Sequence, residues 1–163
     1  MPYRNRAEVL NRLSGFPARL AAAARAAAAA DAEPDGPPAG EWTALENVAH
    51  LVAVERSVWH ARLDGLEASA PGSEPVWAWA EPGPAGDAVA AGLERALALF
   101  GQERQSTMGR LAALDEPGWA RTGLHATYGR LDVAGLAGTA ADHDEEHIAA
   151  MAKGRPGVPR RYG

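Results

Sequence analysis

A chain of 163 residues with a formal charge of −5 and no cysteine can bury one core without cross-links, and it excludes disulfides, zinc–thiolate sites and a catalytic thiol of its own. Ala dominates while Val, Ile, Thr and the aromatic residues form no sustained alternation, which excludes an extensive sheet and predicts an all-α fold. The positive charge is nearly all Arg and is scattered apart from Arg155, Arg160 and Arg161; with no apolar signal core and no run of roughly 18 apolar residues, a soluble cytoplasmic protein without nucleic-acid or membrane partners is the expectation.

In chain order, Asn5 with Glu8 reads as a capping box opening a helix through Val9, Leu10 and Leu13, which Gly15 and Pro17 are expected to break. A second segment runs from Pro17 through the Ala-rich stretch to Ala30, small enough in side chain for close helix approach or for an oligomer contact. The Pro/Gly-rich run from Asp31 to Gly40 is a connection. Thr43 with Glu46 makes another capping box, and Leu45, Val48, Leu51, Val52, Val54, Val58 and Leu63 carry a helix to about Glu67. Residues 70–86 read as an ordered loop with Trp77 and Trp79 as anchors. Asp87 is expected to cap a helix through Val89, Leu93, Leu97, Phe100, Met108, Leu111 and Leu114, with a kink at Gly101. A second loop covers Pro117 to Arg130, and Asp132 caps a last helix that Gly154 and Pro156 end. Four helical units with two long connections predict a four-helix bundle over residues 1–154, followed by a basic, solvated tail at 155–163.

The chemistry sits on the last helix. Leu136, Ala140, His143, His147 and Met151 step by three or four residues along one stripe. Four residues advance a helix by roughly 6 Å and rotate it by about 40°, so His143 and His147 can reach one point beside it. Histidines so spaced also occur as solvated neighbours on a polar face; the apolar stripe favours a site, with Asp142, Asp144, Glu145 and Glu146 expected on its flanks. A catalytic metal normally has three protein ligands. Of the other histidines, His50 lies two turns inside its helix in an apolar string, His60 is rotated roughly 80° from it and is expected at the surface or rim, and His125 falls in a loop. His50 is the third ligand of choice. The segment from His143 to His147 also fits the inverted zinc-protease pattern with Glu146 as base, yet no Asp or Glu follows His147 to complete it. A di-iron carboxylate site lacks its glutamates.

The block Glu41-Trp-Thr-Ala-Leu-Glu-Asn-Val-Ala-His50-Leu, followed by Gly129-Arg-Leu-Asp-Val and by His143-Asp-Glu-Glu-His147, resembles the DinB-like superfamily with its YfiT-like metal-dependent hydrolases, a group unrelated to the DNA polymerase sharing the DinB name. The resemblance implies a four-helix bundle, often homodimeric, in which His50, His143 and His147 bind one divalent ion, usually zinc or nickel. It also implies two kinds of activity: transfer of a low-molecular-weight thiol, as in bacillithiol transferases and mycothiol-dependent maleylpyruvate isomerases, or hydrolysis by a metal-activated water. A metal-dependent thiol S-transferase with an external thiol cosubstrate is the first expectation, a hydrolase the second, and a non-enzymatic metal or small-molecule binding protein the third. Glu46 and Glu146 are the candidate proton acceptors, and an acid beside the open metal position would favour an enzyme over a binding protein.

Overall fold

The computed structural model describes residues 5–70, 72–79, 81–155, 157 and 158. Helix α1 spans Arg6–Asp31 without interruption. Asn5 caps it by accepting from the Glu8 N–H at 3.1 Å. The expected break at Pro17 does not occur, because the carbonyl that loses its helical donor there, Leu13 O, is taken over at 3.0 Å by Nη1 of Arg104 from another helix.

Helix α2 (Ala44–Val54) begins on the full Thr43/Glu46 capping box. It passes through a wide π turn at Glu55–Trp59 directly into α3 (His60–Ala68). Strand β1 (Val76–Trp77) follows, then α4 (Gly86–Ala91) and α5 (Leu93–Ala112). The discontinuity lies at Gly92, whose φ of 87° suits glycine, and α5 runs straight through Gly101. Asp87 lies inside α4 and pairs with Arg56 at 2.9 Å instead of capping.

The second expected loop carries structure: a short helix α6 (Glu116–Trp119) and a hairpin of β2 (Thr122–His125) and β3 (Gly129–Asp132). Strand β1 joins β2 in parallel, Trp77 opposite His125, giving a small three-stranded sheet. Its Gly123 is required, because a Cβ there would stand 2.3 Å from the Trp77 ring. Helix α7 (Val133–Ala152) starts on Asp132, which accepts from the Gly135 N–H at 2.7 Å.

The bundle consists of α1, α2 with α3, α5 and α7, α1 lying mainly along α7 and α2 along α5. Its core is divided. One apolar cluster gathers Phe16, Leu20, Ala23, Val48, Leu51, Phe100, Ile148 and Met151; the other gathers Leu13, Val58, Trp59, Leu63, Leu111, Leu136 and Ala140. Between them lies a buried polar layer: His50, His143, Glu55, Arg104 and Asp144. Ala23, Ala24 and Ala27 of the Ala-rich stretch are fully buried in this core. Arg155, expected in a solvated tail, is 2 % exposed, its Nε donating to Asp31 at 2.6 Å and its Nη2 to Trp42 O at 2.9 Å. Pro156, Arg160 and Arg161 lie outside the described residues. Among the described residues no helix is long and apolar enough to cross a membrane.

Candidate metal centre

The capping box fixes the start of α2, and two turns later His50 points inward with no exposed surface. On α7 the four-residue step brings His143 and His147 to the same side, their ring centroids 4.6 Å apart and 5.5 and 4.5 Å from that of His50. The three imidazoles thus converge. A fourth group joins them from the loop after β1: Glu81 Oε1 lies 3.0, 3.7 and 3.9 Å from Nε2 of His50, His143 and His147. All four potential ligand atoms fall within 4.8 Å of one another.

Neighbouring groups set which ring nitrogen faces the centre. His50 Nδ1 donates to Pro82 O at 2.6 Å. His147 Nδ1 donates to Asn47 Oδ1 at 3.1 Å, and the Asn47 amide is oriented by its Nδ2, which donates to Thr43 O at 3.1 Å. With the proton on Nδ1, each Nε2 is left as a bare lone pair, the form that binds a cation. Burial, the largest influence, lowers all three histidines: His143 is pushed down to about 4 and His147 to about 3, each further depressed by neighbouring imidazoles, while Glu81 partly opposes the shift at His143 and at His50. The rings are therefore neutral at physiological pH. His50 Nε2 and both nitrogens of His143 are buried without any hydrogen-bond partner.

Tryptophans surround the cluster. Trp42 lies against His50 and His147, Trp59 meets His143 edge-on at 6.2 Å, and Trp79, 44 % exposed, covers His143 at 5.3 Å. Trp79 and the Glu81 side chain, 45 % exposed, form the solvent side.

Directly beneath the imidazoles the guanidinium of Arg104 fastens the two helices that carry them. It donates to Glu55 on the π turn at 2.6 and 3.0 Å and to both oxygens of Asp144 at 2.9 and 3.0 Å. Asp144, expected on a solvated flank, is 2 % exposed; burial raises its carboxyl, against the pull of Arg104. Asp142 and Glu145 do sit on the flanks, paired with Arg12 and Arg19 of α1.

The remaining candidates have other surroundings. Glu46 accepts from the Thr43 N–H at 3.1 Å in the capping box. Glu146 is exposed on α7, its carboxyl raised by partial burial and by the charges of Glu81 and Asp142. His60 is partly buried, its Nε2 2.8 Å from Thr107 Oγ1. His125 is buried on β2 and accepts from the Thr127 N–H at 3.0 Å. Sequence reasoning missed Glu81, Asn47 and Pro82; the Trp42 to His50 block contains Asn47, and its place three residues before His50 was the one available signal.

A profile of the DinB superfamily matches residues 3–151. The chain belongs to the DinB superfamily. Among solved structures, this DinB-superfamily protein is similar to YfiT from Bacillus subtilis, described as a probable metal-dependent hydrolase with an unusual four-helix bundle topology; the TM-score is 0.64 at 20 % identity, over 91 % of this chain and 84 % of that one. The likeness establishes the four-helix bundle, to which the three-stranded sheet is a small addition. No curated protein sequence matches this member of the superfamily.

Proposed function

We propose that this protein is a metal-dependent enzyme in which Nε2 of His50, His143 and His147 hold one divalent ion, zinc or nickel, and the Glu81 carboxylate handles the proton of the molecule that reacts beside it. One observation carries the reading. The bare Nε2 of His50 and Oε1 of Glu81 are both acceptors, yet they stand 3.0 Å apart without hydrogen-bond geometry. Two lone pairs at that distance repel unless a positive charge lies between them, and the depressed histidine pKa values argue against a proton there. A divalent ion held by three imidazoles lowers the pKa of a water or thiol that joins it.

Hydrolysis is the reaction the residues support best. Glu81 is placed to accept a proton from water at the open side, Pro82 O and Asn47 keep two imidazoles aimed inward, and Trp59 and Trp42 keep bulk water away from them. Transfer of an external low-molecular-weight thiol is the second reading. It is favoured by the exposed mouth at Glu81 and Trp79, and by the lack of any cysteine in the chain that could compete as nucleophile or acceptor.

The test starts with protein purified without chelators or a nickel column. Elemental analysis should find about one zinc or nickel per chain. His50→Ala, His143→Ala and His147→Ala should each abolish it, and Asn47→Ala should weaken affinity by about 10- to 100-fold. Glu81→Gln should retain metal while losing about 10²- to 10⁴-fold in turnover, measured once with an activated ester and once with thiol plus electrophile to separate the two readings. Substoichiometric metal after exposure to excess zinc and nickel would defeat the reading.

A further inference from the structure

Two other buried arginines face carboxylates: Arg104 meets Glu55 and Asp144, and Arg155 meets Asp31. Arg62 on α3, 5 % exposed, has no carboxylate partner among the described residues. Its Nη2 donates to Ala78 O at 2.9 Å, while Nη1 is buried with no partner. A guanidinium cannot discard its charge, so this is a desolvated cation lacking an anion. A second buried donor is likewise unsatisfied. His125 Nδ1 accepts from the Thr127 and Tyr128 N–H groups, which places the ring proton on Nε2, and Nε2 has no partner.

The fold brings the two donors to one region. Trp77 and His125 are paired neighbours on β1 and β2, and both are buried on the same face of the sheet. The Arg62 guanidinium lies over the Trp77 ring at 5.7 Å and over Trp59 at 5.2 Å. A groove of about 250 Å³ opens beside it, walled mainly by Val58, Ala61, Val76 and Trp77. Apart from Arg62 and Ser57 these walls are apolar, and Val76 stands 76 % exposed at the rim.

We propose that Arg62 and His125 form a carboxylate-binding subsite, which takes a small organic acid with its apolar body in the groove between Val58 and Trp77. Arg62 itself lines this groove. There a carboxylate gains charge-assisted bonds from Nη1 and the N–H of His125 Nε2, in surroundings where such bonds are strong. Trp59 separates this subsite from the imidazole cluster, meeting His143 on one side and lying under Arg62 on the other. The assignment is independent of any metal.

Hexanoate, hexan-1-ol and inorganic phosphate are titrated calorimetrically into the full chain and into its His50→Ala variant. Hexanoate should saturate one site in both proteins, with hexanol and phosphate each at least about tenfold weaker. In Arg62→Met, Arg62→Gln and His125→Phe, with folding checked by circular dichroism, hexanoate affinity should fall about tenfold or more. Equal binding of hexanol or phosphate overturns the assignment even if no Arg62 variant folds. So does unchanged affinity in a folded Arg62 variant. Loss of hexanoate binding in His50→Ala would place the acid at the imidazoles and would also overturn it, leaving the metal reading intact.

Discussion

His147 is 9 % exposed, gives its Nδ1 proton to Asn47 and keeps its other nitrogen bare. Its pKa is pushed down to about 3, from an ordinary 6.5, chiefly by burial. Between these values the unfolded chain binds the proton and the folded chain does not, so this residue's contribution to stability is fully present above pH 6.5 and is lost as pH falls toward 3. In chelator-treated protein, denaturant unfolding should show wild type losing stability relative to His147→Gln by about 1.4 kcal/mol per pH unit across that window. Equal pH dependence in the two proteins would contradict the burial argument. The histidine stripe of α7 and the inward position of His50 were legible because helical periodicity reports facing directly. Glu81 and Pro82 were not, since they lie in a Pro/Gly-rich loop where no period relates sequence to direction. Asp144 was misplaced for another reason: one step off the stripe, a carboxylate is expected to seek water, and only a guanidinium arriving from α5 reverses that preference.

At the scale of elements, two departures from what sequence periodicity predicts trace to one distant residue, Arg104 on α5. Pro17 should end α1, yet Arg104 supplies the donor that proline withholds. The π turn at Glu55–Trp59 breaks no apolar pattern, so nothing in the sequence marks it, but it turns Glu55 toward the same guanidinium. Arg104→Met should cost about 3–5 kcal/mol by leaving Glu55 and Asp144 buried without their cation. In a Pro17→Ala background the loss should be smaller by about 1 kcal/mol, because Leu13 O then has a donor of its own. Urea unfolding of the four proteins in the cycle measures this coupling, and a value of zero would mean that the Leu13 contact is incidental. The sheet escaped notice because its strands are two and four residues long, too short for alternation to register. The capping residues Asn5, Thr43 and Asp132, by contrast, were read correctly from local chemistry alone.

At the scale of the whole molecule, the bundle was legible from composition, capping and helical spacing, and the family from the resemblance carried by the block ending at His50-Leu51, the segment before α7 and the paired histidines. The division of the core was not, because Arg104 lies on the inward stripe of α5, with Phe100, Thr107 and Leu111, and charge normally marks the surface. That division has a consequence for how the protein loosens. Helix α7 crosses the boundary: Val133 to Ala141 belong to one cluster, Ile148 to Ala152 to the other. Its amide protons should therefore exchange with deuterated solvent at two distinct rates, changing over between His143 and Ile148. A guanidinium and two carboxylates would then act as a firebreak, letting one end of a single helix breathe while the other stays shut.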